Sequence, residues 1–171
     1  MKVTKTILMG AALVAAGAVG FHELDGMIDS NSDAPTSTNK WIDAFYCSVI
    51  TLTTVGYGDI CPSAPKGQGK LFLVVLSFVG LGYFCGPIMD LASSWRHRVP
   101  GGNLGTIVAT IGLGVALFTY FEEWPKEDAA YYSVITGTTI GFGDISPKTD
   151  GGKIAAAIYA IIAVNVVGAL L

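Results

Sequence analysis

A nine-residue string occurs twice in this chain, and the repeat limits what the chain can fold into. Residues 51–59 read TLTTVGYGD and residues 136–144 read TGTTIGFGD, 85 positions further along. The residues before each string also repeat, since YCSVI at 46–50 returns as YYSVI at 131–135. An internal repeat of this detail predicts two copies of one structural unit.

The composition predicts an integral membrane protein. Of the 171 residues, 51% are hydrophobic and only 13% are charged, which is too apolar for an ordinary soluble domain. Four stretches, at 3–21, 71–91, 104–121 and 154–171, approach the roughly 20 residues that cross a bilayer as a helix. We therefore expect an all-α, multi-pass membrane protein with four transmembrane helices.

Two of these stretches have a second interpretation. The first, with Lys2 and Lys5 before an apolar run, also has the pattern of a secretory signal peptide, although each repeat unit needs a helix before it. The last ends at the final residue without a polar flank, so we expect the sequence to be incomplete and a cytoplasmic tail to be missing.

The charges predict the orientation and exclude several functions. Lys2 and Lys5 precede the first span and Arg96 and Arg98 lie between the second and third, so both segments are expected on the cytoplasmic side. The net charge of −3 gives no reason to expect a nucleic-acid partner. The three cysteines lack the spacing of a disulfide framework or a zinc site; they are Cys47, Cys61 and Cys85.

Each repeated string, T-x-G-aromatic-G-D behind a threonine-rich segment, resembles the selectivity filter of potassium channels. Two of them in one short chain resemble the two-pore-domain potassium channel family. The resemblance implies two re-entrant loops, each formed by a pore helix and a filter. The first unit, 1–98, would hold outer helix 3–21, pore helix 42–53, filter 54–59 and inner helix 71–91. The second, 99–171, would hold outer helix 104–121, pore helix 127–138, filter 139–144 and inner helix 154–171.

By the same resemblance, K⁺ would bind to backbone carbonyl groups of the two filters, since rings of carbonyl oxygens replace the water around the ion. Glycine suits such a loop because alternate residues must adopt left-handed conformations. The expected carbonyl ligands are those of Thr54, Val55, Gly56, Tyr57, Thr139, Ile140, Gly141 and Phe142, and Gly58 and Gly143 complete the filters.

The side chains around the filters have expected roles as well. Asp59 and Asp144 would form an acidic ring at the outer mouth, or each would hydrogen-bond to its own pore helix, or both. The two filter aromatics should point away from the axis, and Phe142 lacks the hydroxyl group of Tyr57. We therefore expect the second filter to be held less rigidly. The expected packing partners of these aromatics are Tyr46, Tyr131 and Tyr132.

Small residues in the inner helices suggest either gating or packing. Glycine and proline can mark a hinge, although membrane helices also use small residues for close packing. Asn165, a polar residue within the fourth span, would line the pore or tie helices together. The candidate hinge and cavity residues are Gly80, Gly86, Pro87, Asn165 and Gly168.

The predicted function is that of a potassium-selective leak channel. Four filter loops are needed and each chain has two, so the resemblance implies a homodimer in the lipid bilayer with approximate fourfold symmetry around the pore. The alternatives are a non-conducting regulatory subunit of a larger channel and a weakly selective cation channel. No enzyme motif competes, and no cofactor is expected besides K⁺ as the permeant ion. The plasma membrane is the default location, with a vacuolar or other endomembrane as the alternative.

Overall fold

The computed structural model describes residues 2–30, 37–62, 67–83 and 102–168. Six helices lie in these ranges: α1 Lys2–Glu23, α2 Lys40–Leu52, α3 Gly67–Tyr83, α4 Gly102–Phe121, α5 Lys126–Gly137 and α6 Asp150–Gly168. The end of the expected second span and the candidate hinge at Gly86 and Pro87 lie outside the described residues.

Three of the described helices are long and apolar enough to cross a membrane. They contain the stretches Thr4–Glu23, Leu104–Phe121 and Asp150–Gly168. The described part of α3 is apolar too, over 17 residues. Large apolar side chains lie exposed along these helices, as lipid-facing surfaces require; they include Leu8, Leu71, Phe78, Leu104, Val108 and Ile158.

The two halves of the chain repeat one arrangement of a long helix, a short helix, a loop and another long helix. In the first half α1 packs against α2, and in the second half α4 packs against α5. A glycine makes each of these contacts close. A Cβ atom on Gly17 would overlap the side chain of Ser48, and one on Gly114 would overlap that of Ser133. Both long helices therefore approach their short helix at a position that only glycine fits.

A hydrogen bond fixes the direction of the first half. The hydroxyl group of Tyr83, at the end of α3, donates to the carbonyl oxygen of Thr6, near the start of α1, at 2.9 Å. The chain therefore leaves α3 at the end of the molecule where α1 begins. The expected orientation, with both basic segments on one side of the membrane, needs this arrangement.

One small element departs from an all-helical fold. Asp29–Ser30 and Ile60–Cys61 form an antiparallel ladder, in which Asp29 pairs with Cys61 and Ser30 with Ile60. The sequence pattern predicts no strand, because a strand of two residues is too short to show periodicity. The ladder joins the chain after α1 to the chain just after the first repeated string.

Candidate functional site

The loops that follow α2 and α5 share an unusual backbone. Every second residue is left-handed, with φ of 60° at Thr54, 55° at Gly56 and 73° at Gly58. The second loop repeats these angles at Thr139, Gly141 and Gly143, with φ of 58°, 52° and 72°. Glycine adopts this conformation at little cost, whereas a threonine there costs about 1–3 kcal/mol and must be held by its surroundings.

The last turn of each short helix holds the loop that follows it. The amide groups of Val55 and Gly56 both donate to the carbonyl oxygen of Ile50, at 3.2 and 3.3 Å. In the second loop the amide groups of Ile140 and Gly141 donate to the carbonyl oxygen of Ile135, at 3.0 and 3.3 Å. These bonds satisfy carbonyl groups that a helix end leaves without a partner, and they fix the loop on the helix.

The two loops lie in direct backbone contact within one chain. A Cβ atom on Gly141 would overlap the carbonyl oxygen of Val55, and one on Gly143 would overlap that of Tyr57. Any other residue at these two positions would push the loops apart. At Gly56 and Gly58, by contrast, a Cβ atom would meet nothing within 4 Å in the part of the chain that the structure describes.

An aromatic cluster supports the first loop from behind. The ring of Tyr57 stacks on Tyr132 of α5, with centroids 5.3 Å apart, and lies 6.3 Å from the ring of Tyr46. Its hydroxyl group forms a short hydrogen bond with that of Thr136. Tyr46 and Tyr132 were expected at this position, whereas Thr136 was not, because sequence cannot show which threonine of the run faces the neighbouring loop. Phe142, the counterpart of Tyr57, is 68% exposed.

Both aspartates after the loops are bound to their own short helix. The hydroxyl group of Tyr46 donates to Oδ2 of Asp59 at 2.8 Å, and that of Tyr131 donates to Oδ2 of Asp144 at 2.9 Å. Asp59 is buried and Asp144 is exposed in the single chain. Burial raises the pKa of the Asp59 carboxyl above its ordinary value, and the hydrogen bond from Tyr46 opposes that rise.

A buried ion pair joins the two halves of the chain at the start of α2. Nζ of Lys153, at the start of α6, lies 2.8 Å from Oδ1 of Asp43, in the first turn of α2, and both side chains are completely buried. The backbone amide and the hydroxyl group of Ser37 also donate to this carboxylate, at 2.7 and 2.6 Å. The sequence pattern does not predict this pair, and the one signal for it is the Gly-Lys that follows each repeated string, at 69–70 and 152–153.

Two of the candidate hinge and cavity residues that the structure describes, Gly80 and Asn165, are closely packed. A Cβ atom on Gly80 would come within 3.0–3.2 Å of Leu52 in α2, and α3 continues as a helix through this position. Asn165 is buried, and its Nδ2 donates to the carbonyl oxygen of Ile161 in its own helix at 2.6 Å. Gly168 is the last residue of α6. A gating role for these residues stays a prediction.

A family model described as an ion channel matches the chain twice, over residues 8–95 and 105–171. The open rectifier potassium channel protein 1 of Drosophila melanogaster is 34% identical over 61% of the chain and 13% of that relative. Two-pore potassium channel 2 of Arabidopsis thaliana is 25% identical over 93% of the chain and 44% of its own length. Potassium channel subfamily K member 4 of Rattus norvegicus is 29% identical over 72% of the chain and 37% of its own length. The chain thus spans less than half the length of each of these relatives.

Proposed function

Because the chain belongs to the two-pore-domain potassium channel family, we propose that it conducts K⁺ passively across a membrane as a leak-type channel. The observation that carries the proposal is the pair of loops after α2 and α5. Both alternate left-handed and ordinary residues, and they lie side by side in backbone contact. Such a backbone can turn successive carbonyl groups toward one axis, which is what coordination of a dehydrated cation needs.

In this proposal the two loops are selectivity filters. Carbonyl groups of residues 54–57 and 139–142 replace the water around K⁺, so the ion enters without meeting a fixed charge that would trap it. The helices α2 and α5 end at the filters, and the partial negative charge of their carboxyl ends favours a cation there. With 13 and 12 residues these helices are too short to span a bilayer. In this proposal each helix therefore enters the membrane from one side, and the filter after it returns to the same side.

The complete pore in this proposal is a homodimer. One chain supplies two filters, and two filters cannot enclose a path for an ion. The second filter also presents a large apolar surface, since Ile140 is 50% and Phe142 68% exposed in the single chain. A second copy would bring four filters together around one axis and cover this surface.

The experiment that tests the function is the reversal potential of the purified protein in planar bilayers, with K⁺ on one side and Na⁺ on the other. We expect it to lie near the potassium equilibrium potential. Gly141→Ala should abolish this selectivity, since its Cβ atom would overlap the Val55 carbonyl oxygen. Gly82→Ala is the matched control, because that Cβ atom would meet no described residue within 4 Å.

Two other outcomes would contradict the proposal. A reversal potential near zero with a large current would indicate a weakly selective cation channel, and the exposed Phe142 would be the first residue to examine. No current from well-folded protein would favour a non-conducting regulatory subunit.

A further inference from the structure

Three contacts inside one chain join the first repeat to the second, and among the described residues the equivalent contacts from the second repeat to the first are not made within that chain. The contacts are the ion pair of Lys153 with Asp43, the packing of Tyr57 on α5, and the approach of the second filter's glycines to the first filter's carbonyl groups. The counterpart of each contact is found from the internal repeat, by taking the equivalent residues of the other unit.

The counterpart of the buried ion pair is a pair of exposed, opposite charges. Asp128 stands in the first turn of α5 as Asp43 does in α2, and Lys70 follows Gly69 in α3 as Lys153 follows Gly152 in α6. Both Lys70 and Asp128 are exposed, and within the described ranges neither forms an ion pair.

The counterpart of the Tyr57 contact is an exposed ring and a cavity. Phe142 is 68% exposed, whereas Tyr57 is 5% exposed. Tyr57 meets Tyr132 and Thr136, and the residues at the equivalent positions of the first repeat are Cys47 and Thr51. A cavity of about 200 Å³ lies beside these two residues and is also lined by Leu73 and Phe21. The smaller side chain of Cys47 leaves space where the second repeat has a tyrosine ring.

The filter backbones give a third counterpart. Gly141 and Gly143 lie against the carbonyl oxygens of Val55 and Tyr57, so the equivalent neighbours of Gly56 and Gly58 are the carbonyl oxygens of Ile140 and Phe142. Among the described residues of one chain, nothing lies within 4 Å of a Cβ atom built at either Gly56 or Gly58. The open side of the first filter thus has the shape to receive the exposed side of the second.

We propose that a second copy of this chain closes the ring by repeating these contacts, with Lys70 of one copy paired to Asp128 of the other and Phe142 seated beside Cys47 and Thr51. The inference rests on the proposed homodimer and names the residues that hold it. One rotation about the pore axis superimposes the first repeat on the second. In the proposed dimer the same rotation superimposes the second repeat on the first repeat of the partner. All three counterpart contacts then lie in one interface between the two copies. Because the dimer has twofold symmetry, this interface occurs twice.

A charge exchange tests the ion pair. Lys70→Asp and Asp128→Lys should each raise the dimer dissociation constant by at least about tenfold, measured in detergent by light scattering over a dilution series. The double variant carries the pair in reverse and should recover most of the lost affinity. Lys126→Asp is the control. Lys126 is exposed on the same helix as Asp128, and its position in the repeat is not that of either ion-pair residue.

Cysteine cross-linking tests the same geometry without relying on the stability of the charge variants. Coexpressed chains with Lys70→Cys and Asp128→Cys should form a mixed disulfide-linked dimer under mild oxidation. Either variant alone should give no more cross-linking than the parent chain, and Lys126→Cys with Lys70→Cys should give much less than the designed pair. Equal dimerisation of parent and single charge variants, or no cross-link at the designed pair, would overturn the proposal.

These results are independent of the test of function. A cross-linked dimer that shows no selectivity for K⁺ would contradict the proposed function and leave the interface standing. A selective pore that cannot be cross-linked through residues 70 and 128 would overturn the interface and leave the function standing.

Discussion

The hydroxyl group of Tyr57 in the first repeat hydrogen-bonds to that of Thr136 in the second, 79 positions later in the sequence. The ring of Tyr57 is also stacked on Tyr132 of the same helix. The loop after α2 is therefore packed against the second repeat, and the stability of one repeat depends on side chains of the other.

Removing the hydroxyl group of Thr136 should weaken that support. Thr136→Val keeps the shape of the side chain and leaves the buried Tyr57 hydroxyl without its partner, which costs about 1–3 kcal/mol. We expect a lower melting temperature of the purified protein in detergent. Thr51→Val is the matched control, because the counterpart of Tyr57 in the other repeat, Phe142, has no hydroxyl group. Equal losses in the two variants would contradict the asymmetry.

Breaking the buried ion pair should be more costly. Asp43→Asn leaves the Lys153 ammonium buried without a carboxylate, and such changes cost about 3–5 kcal/mol. We expect the double variant Asp43→Leu with Lys153→Met to recover much of that loss, because it removes both charges. Thermal unfolding in detergent measures both effects. A single variant as stable as the parent would show that the pair contributes no stability.

The stability contributed by Asp59 should decrease as the pH rises. Burial raises the pKa of Asp59 in the folded protein, so the folded state holds this proton to a higher pH than the unfolded chain does. The contribution is therefore complete below the ordinary carboxyl pKa of about 4 and is lost as the pH passes through the raised value. Asp59→Asn keeps an oxygen that can accept the hydrogen bond from Tyr46.

We expect the asparagine variant to lack this dependence and to be at least as stable as the parent at neutral pH. Melting temperatures measured between pH 4 and pH 8 on both proteins would test this. If the parent gains stability relative to the variant as the pH rises, the hydrogen bond from Tyr46 outweighs the cost of burial and the sign is wrong.

Alanine at Gly80 should separate close packing from a hinge. Its Cβ atom would lie 3.0–3.2 Å from Leu52, and overpacking of this kind costs about 1–3 kcal/mol. Gly82→Ala, two residues further on in α3, would place its Cβ atom where no described residue lies within 4 Å, and it should stabilise the helix by roughly 0.5–1 kcal/mol. Opposite shifts in melting temperature would support packing. Unchanged stability of Gly80→Ala together with altered channel opening would support the hinge.

The repeated string allowed the apolar helices, the left-handed loops and the family to be predicted, because glycine spacing and apolar length are local properties of the sequence. The ion pair of Lys153 with Asp43 joins positions 110 residues apart and depends on how the two repeats pack. The different burial of Asp59 and Asp144 depends on packing in the same way, since their sequence contexts are nearly identical. The sequence does not predict the ladder between residues 29–30 and 60–61, because a strand of two residues is too short to show an alternating pattern.

The separation of Tyr57 from its support also has a consequence for biosynthesis. The ribosome makes Tyr57 79 residues before it makes Thr136. Until then the left-handed backbone at Thr54 is held by contacts within the first repeat, among them the hydrogen bonds to the end of α2. The membrane insertion machinery therefore receives the first repeat before this hydrogen bond can form, and Tyr57 acquires its partner only after Thr136 has been translated.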